Sequence, residues 1–259
     1  MCIVFDGRAF GKQKEKQLKE KVTKLKQIGI YPKLASILIG NDPASELYID
    51  LKKKAAERIG AKLGVYLIKE DVKNDKVIKL VERLNIDSSV HGIMIQLPLP
   101  SKLKKNKNEI ISKIDSKKDV DGLKKKSIYI HPTAKAVLTI IKEAEKVLGK
   151  SHSSIVILGK GGMVGSSLIS AINKSKYRLI SDTKKADILV SATGLPGMVR
   201  EDMVKKGSVV IDVGSPKADV DFNEVSKKAS FVTPVPGGVG PVTITCLLEN
   251  LIASAGKLR

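Results

Sequence analysis

The stretch SSIVILGKGGMVGSSLISAI, residues 153–172, constrains the fold more than any other part of the chain. A short apolar run leads into Gly159, Gly161 and Gly165, and an apolar segment of helical character follows. Strand, glycine turn and helix in that order form the unit that places a pyrophosphate on a helix N-terminus. The spacing is GxGxxxG, one residue longer than the usual dinucleotide fingerprint, so a plain glycine-rich turn is the competing reading.

The same alternation runs through the rest of the chain. A helix is expected over 6–29, with Leu18, Val22, Leu25 and Ile28 at helical spacing and Gly29 as its stop. KLASILIG is a buried strand, and Pro43 and Gly60 bracket the next helix. KLGVYLI, KVIKLVERL and HGIMIQLPLP continue as strand, helix and strand, and a lysine-rich helix reaches Ile114. The polar break DSKKDVDGLKKKS separates this half from a second run: a helix from about 133, the glycine turn, then YRLIS, ADILVSATG and SVVIDVG. Strands alternating with helices, twice, predict two α/β domains around a cleft, the second a Rossmann-like parallel sheet. The expected division is 1–120 plus 241–259 for the first domain and 121–240 for the second.

Composition narrows the function. A chain of 259 residues with 42% hydrophobic residues is globular. No uninterrupted apolar run approaches the roughly 18 residues of a membrane span, and no membrane partner is expected. Two cysteines, Cys2 and Cys246, make no disulfide framework, and three scattered histidines give no metal site, so a reducing, cytoplasmic setting without a metal is expected. The net charge of +20 invites nucleic acid, but the lysines are spread along the chain and aromatic residues are only 3%. Base-stacking platforms are therefore scarce, no nucleic acid is expected, and a small acidic substrate suits the charge as well.

Four further stretches carry candidate chemistry. In the helix ELYIDLKKKAAERIG, a wheel puts Ala44, Leu47, Leu51, Ala55 and Ile59 on one face, with Tyr48 within it and Lys52 at its edge. Lys53 falls opposite, on the solvated side. Partial desolvation would lower the pKa of Lys52 and fit it for proton transfer; a lysine whose stem merely covers apolar surface is the alternative. Gln96 interrupts the apolar strand GIMIQLPLP where open α/β sheets bind ligands, or else pairs with nearby loop backbone. In KDVDGL, Asp121 either accepts adjacent N–H donors of a ligand or serves the Asp-Gly turn. TPVPGGVGPVT, with three glycines and three prolines, is a loop of fixed shape that either brings backbone close to a ligand or only turns the chain.

Taken together, these stretches resemble the bifunctional methylenetetrahydrofolate dehydrogenase/methenyltetrahydrofolate cyclohydrolase family over nearly the whole chain. The Y-x-x-x-K helix, GIMIQLPLP, KDVDGL, ADILVSATG, VVIDVG and TPVPGGVGPVT occur in the family's order. The resemblance implies oxidation of 5,10-methylenetetrahydrofolate with NADP and hydrolysis of the methenyl product to 10-formyltetrahydrofolate. It implies Lys52 as catalytic lysine, Tyr48 beside it over the substrate, Gln96 as its assistant and Asp121 as pterin anchor. It assigns Pro236, Gly237 and Gly238 to substrate, and Gly159, Lys160, Gly161, Gly165, Ser181, Thr193 and Thr133 to the cofactor. A homodimer is implied as well.

The departures from the family pattern lie in the cofactor half. G-R-S-x-x-V-G becomes Gly159-Lys160-Gly161-Gly162-Met163-Val164-Gly165, and P-C-T-P-x-G keeps only Thr133. YRLIS passes through DTKK straight into ADILVSATG, where the family carries a helix, and the segment after VVIDVG is short. Cofactor choice is pulled two ways. Lys160 and Ser181 match residues facing the 2′-phosphate of NADP, whereas Asp182 sits near the spacing at which an acid bonds the ribose of NAD. NADP is the expectation, with NAD the alternative.

Overall fold

The computed structural model describes residues 2–124, 126–173 and 175–258. It resolves into two compact units, Met1–Lys12 with Ile130–Cys246, and Gln13–Tyr129 with Leu247–Arg259.

The second of these units is built on a three-stranded parallel sheet of β2 (Lys33–Ile39), β3 (Lys62–Ile68) and β4 (Gly92–Ile95), in the order β3-β2-β4. Helix α2 (Pro43–Arg58) connects β2 to β3, and α3 (Asn74–Ile86) connects β3 to β4. Asp42 caps α2 by accepting from the Ser45 amide, and proline stands in its first turn, where no amide is missed. Val77, Val81 and Leu84 of α3 close over Ile37, Ile93 and Ile95, a core without polar interruption. The expected lysine-rich helix to Ile114 is a 3₁₀ turn over Ser101–Asn106 followed by the short α4 (Lys107–Ser112).

The other unit is a six-stranded parallel sheet, β1-β9-β8-β7-β5-β6. Its strands are β1 (Ile3–Val4), β5 (Ser154–Leu158), β6 (Arg178–Leu179), β7 (Ile188–Ser191), β8 (Val209–Asp212) and β9 (Phe231–Val232). Helices α5 (Pro132–Leu148), α6 (Met163–Ile172) and α7 (Phe222–Lys228) belong to it. β5 pairs with β6 on one side and β7 on the other, which makes the β5/β7 boundary the switch point of the sheet. Only two residues of YRLIS form a strand, and a short turn replaces any helix before β7.

The two units divide the chain otherwise than the expected 1–120 plus 241–259 and 121–240. Ile3 and Val4 pair with Phe231 and Val232, so the first residues belong to the larger sheet. The first and last divisions fall inside α1 (Gly7–Gln27) and α8 (Val239–Lys257), and the middle one falls in the loop between Tyr129 and Ile130. Val239, Val242 and Cys246 of α8 join the core under the larger sheet, whereas Asn250 donates to the Val120 carbonyl and Ser254 to that of His91. Asp121 falls in the unit with β2, not with the larger sheet. By length and composition α8 would cross a bilayer, but most of it is buried in protein.

Candidate active site

Helix α2 is rotated from the expected wheel. Its buried residues are Ser45, Ile49, Ala55 and Ala56, with Ile59 just beyond, whereas Leu47 is 59% and Leu51 42% exposed. Ser45, Ile49, Lys52, Ala56 and Ile59 therefore share one face, and Lys52 lies near its middle rather than at its edge. The wheel failed because it counted Leu47 and Leu51 as core. Tyr48, one turn before Lys52, is half-buried, and Lys53 is exposed as expected.

Strand β4 delivers the partner of Lys52. The Gln96 amide extends the ladder by donating to the Ile37 carbonyl, which fixes the side chain at the carboxyl end of the sheet. Lys52 Nζ donates to Gln96 Oε1 at 3.0 Å, and Gln96 Nε2 donates to the Leu97 carbonyl at 2.9 Å. The amide is thereby locked with its oxygen toward the lysine. Burial pushes the Lys52 pKa below the usual lysine range, and the nearby Asp121 carboxylate partly opposes the shift.

The two aspartates of KDVDGL have separate tasks. Asp119 is fully buried; its two carboxylate oxygens accept from the amides of Leu123 and Lys124. Burial raises its pKa against those hydrogen bonds. Gly122 turns the chain at φ 64°, its amide donating to the Asp119 carbonyl. Asp121 is left half-exposed on this braced turn, within electrostatic reach of Lys52. Asp119 is the residue sequence reasoning passed over; the signal was an acid two positions before an Asp-Gly turn.

In the other unit the glycine turn forms as expected. Gly159 has φ 83°, and a Cβ there would overlap the Ala192 carbonyl oxygen; one on Gly165 would overlap the Gly159 carbonyl oxygen. Neither position has room for a side chain, so the turn and the first turn of α6 pack backbone to backbone. Gly162 caps α6 without a side chain, and its amide donates to the Gly159 carbonyl at 3.0 Å. Gly161 has open space around it. Lys160 and Ser181 are both exposed, on the turn after β5 and just past β6. These features fit a nucleotide cofactor: bare backbone at a helix N-terminus for the pyrophosphate and a cation on the adjoining turn.

The remaining expected cofactor residues are held by the protein itself. Thr193 Oγ1 donates to Asp219 at 2.8 Å. Thr133 lies in the first turn of α5, its amide donating to Nδ1 of the capping His131. No hydrogen bond joins it to the glycine turn among the described residues. Asp182 accepts from the Lys184 amide and pairs with Lys185, so it caps its own turn.

Pro236, Gly237 and Gly238 lie in the unit of the larger sheet, between β9 and α8. Gly237 has φ 111°, and the Gly238 amide donates to the Pro234 carbonyl at 2.9 Å. A Cβ on Gly7 would overlap the Gly238 carbonyl oxygen, so the start of α1 presses on this loop and sets its shape.

One unit with a glycine turn at the switch point of a parallel sheet, and another that holds a desolvated lysine, define an α/β dehydrogenase with acid–base equipment. The family described as tetrahydrofolate dehydrogenase/cyclohydrolase matches twice, its catalytic domain over residues 5–121 and its NAD(P)-binding domain over 131–259. The bifunctional protein FolD of Lactobacillus helveticus is 40% identical, with 97% of each chain covered. The crystal structure of the Campylobacter jejuni enzyme superposes with a TM-score of 0.91 at 37% identity, covering 99% of both chains. That of the Trypanosoma brucei enzyme, complexed with NADP cofactor and inhibitor, gives 0.87 at 32% identity, covering 99% of this chain and 98% of that one. The chain belongs to the tetrahydrofolate dehydrogenase/cyclohydrolase family. It is an enzyme of folate one-carbon chemistry that carries both activities and binds NAD(P).

Proposed function

We propose that the chain oxidises 5,10-methylenetetrahydrofolate with NADP and hydrolyses the methenyl product through Lys52. The observation that supports this most is the bond from Lys52 Nζ to Gln96 Oε1 on a lysine whose pKa burial has lowered. Asp121 accepts the adjacent amino and ring N–H groups of the pterin, which a carboxylate takes together. Tyr48 packs over the substrate. Bound NADP supplies the hydride acceptor for the methylene carbon.

The methenyl carbon is then positively charged and open to water. As the oxygen adds, a proton leaves the water for neutral Lys52 and a carbinolamine forms. As the carbon–N5 bond breaks, the carbinol O–H gives up its proton to become the formyl carbonyl on N10, and N5 takes one proton, so one proton is released overall. A lysine with an ordinary pKa would be almost wholly protonated at neutral pH and a poor base for the first step. Gln96 holds the amine in line and, being neutral, does not restore its pKa. The turn of Gly159, Gly161 and Gly165 would hold the cofactor, with Lys160 and Ser181 to meet the 2′-phosphate; Thr193 and Thr133 are assigned to it by the family resemblance.

The test is a spectrophotometric assay on methylenetetrahydrofolate with NADP, following the methenyl chromophore as it forms and decays. Formation and decay together support the reading; a methenyl product that accumulates without enzymatic decay removes the hydrolytic half.

The protein acts as a homodimer in the cytoplasm. Strand β3 pairs on one side only among the described residues, and its Val65 and Leu67 are exposed. An apolar open edge of this kind invites a second copy. Cys2 and Cys246 form no disulfide among the described residues, which suits a reducing compartment. Sedimentation of the wild type and of Leu67→Lys tests the dimer: the variant should run as monomer.

A further inference from the structure

We propose that Asp219 is a positioning residue for the nucleotide cofactor, shaping the wall at residues 192–194 from beneath. The proposal rests on the cofactor site given above.

Asp219 is fully buried, and one of its oxygens, Oδ2, collects four donors. They are Ser191 Oγ, the Thr193 amide and Thr193 Oγ1, each at 2.8 Å, and the Gly194 amide at 3.3 Å. Its other oxygen, Oδ1, is buried with no hydrogen-bond partner. A carboxylate placed to satisfy itself would share its donors between both oxygens. Here the geometry is set by the segment that follows β7, and the carboxylate bears the asymmetry.

That segment is the one touching the glycine turn. Ser191 pairs with Leu158 across β7 and β5, and a Cβ on Gly159 would overlap the Ala192 carbonyl and approach the Thr193 amide. Whatever sets the path of 192–194 therefore sets the width available at the switch point, where open α/β sheets bind their ligands. Asp219 is itself fixed from the next strand. The Asp219 amide donates to Asp212 Oδ1 at 3.2 Å and the Val220 amide to Asp212 Oδ2 at 2.9 Å. Asp212 ends β8. Two carboxylates in series thus tie the carboxyl ends of β8, β7 and β5 into one rim. Thr193, expected to touch the cofactor, has its hydroxyl committed to this rim.

The test uses the full-length enzyme. Titration calorimetry measures NADP binding directly in wild type, Asp219→Ala, Asp219→Asn and Ser191→Ala. Both activities are then assayed, and amide exchange is read at Thr193 and Gly194. Asp219→Ala should weaken NADP binding at least tenfold, raise the KM for NADP in step and speed exchange at both amides. Its cyclohydrolase kcat/KM should stay within twofold, because hydrolysis does not use the rim. Asp219→Asn keeps an acceptor for the four donors and puts its NH₂ where the oxygen has no partner, so it should recover binding to within about threefold. Ser191→Ala, which removes one donor, covers the case in which Asp219→Ala does not fold, and should weaken NADP binding while sparing hydrolysis. NADP binding unchanged in the folded variants overturns the positioning role and leaves the cofactor site standing. Equal losses in both activities would make Asp219 a general stability residue. A wild type that does not bind NADP overturns the cofactor site and the positioning role together.

Discussion

Lys52 Nζ and Gln96 Oε1 stand 3.0 Å apart, one on a helix and the other at the end of a parallel strand, with the amide locked by its own bond to Leu97. Lys52→Met keeps the length and apolar stem of the side chain and removes only the amine. It should lower cyclohydrolase activity by a factor on the order of 100 or more, the usual contribution of a positioned acid–base group. Lys53→Met, on the exposed face of the same helix, should leave hydrolysis within twofold. Steady-state hydrolysis of methenyltetrahydrofolate by both variants is the measurement; equal small effects would remove Lys52 from the chemistry.

The lowered pKa of Lys52 has a stability consequence of definite sign. Between the folded pKa and the ordinary value of 10.5, the unfolded chain binds a proton at this position that the folded chain does not. Stability therefore rises with pH across that window, and the penalty for the buried charge is fully present below it. Lys52→Met lacks this term. The stability of the wild type relative to the variant should climb as pH rises toward 10.5, measured by urea denaturation at several pH values. A flat difference would mean that the lysine titrates normally. The pH profile of cyclohydrolase kcat/KM should share the same folded pKa, as a limb rising with pH.

The glycine turn, the parallel sheets and the ordering of the motifs were legible because each rests on local chemistry: apolar strands, glycines that admit no Cβ, a capped helix. The face of α2 was not. Leu47 and Leu51 look like core on a wheel, yet both are exposed. A wheel reads hydrophobicity and does not know which apolar residues the fold leaves outside its core. The assignment of residues 1–12 was missed for a related reason. The two residues of β1 are too few to show periodicity, and only their pairing with β9 reveals where they belong. Asp219 was hidden, since the amides of Thr193 and Gly194 converge on it from distant positions, whereas those on Asp119 come from Leu123 and Lys124 within its own turn.

Asp121→Ala should weaken folate binding and depress both activities together, because both use the same anchored pterin. Loss of one partner of a charge-assisted hydrogen bond costs about 1.5–3 kcal/mol, roughly ten- to a hundredfold in affinity. The turn itself should survive, since Asp119 braces it from below. Fluorescence titration with a folate analogue measures the affinity; an unchanged value would return Asp121 to a role in the turn alone.

Gly165→Ala and Gly161→Ala separate packing from chemistry in the cofactor turn. At Gly165 the new methyl meets backbone, the Gly159 carbonyl, which cannot move aside cheaply. The cost should be about 1–3 kcal/mol of strain, expressed as a raised KM for NADP with hydrolysis retained. At Gly161 the methyl meets no protein atom within 4 Å, so folding stability should be kept. Urea denaturation of the two variants checks the difference, and equal losses of stability would contradict the turn geometry.

Cofactor choice turns on Lys160 and Asp182. Asp182 lies near the position where an acid selects NAD, but its carboxylate accepts from the Lys184 amide and pairs with Lys185. Reaching a ribose would break its own turn. Lys160 is exposed on the turn after β5 and carries the only charge within the glycine motif itself. An ammonium binds a phosphate as a point charge, without the paired donors of a guanidinium. The wild type should therefore prefer NADP, and Lys160→Ala should lose most of that preference while kcat/KM with NAD stays nearly constant. Lys160→Arg should sharpen it by supplying the bidentate fork. The measurement is kcat/KM with each cofactor in all three proteins. A preference for NADP that survives Lys160→Ala would place the phosphate elsewhere. A wild-type preference for NAD would show that Asp182 leaves its turn to bind the ribose.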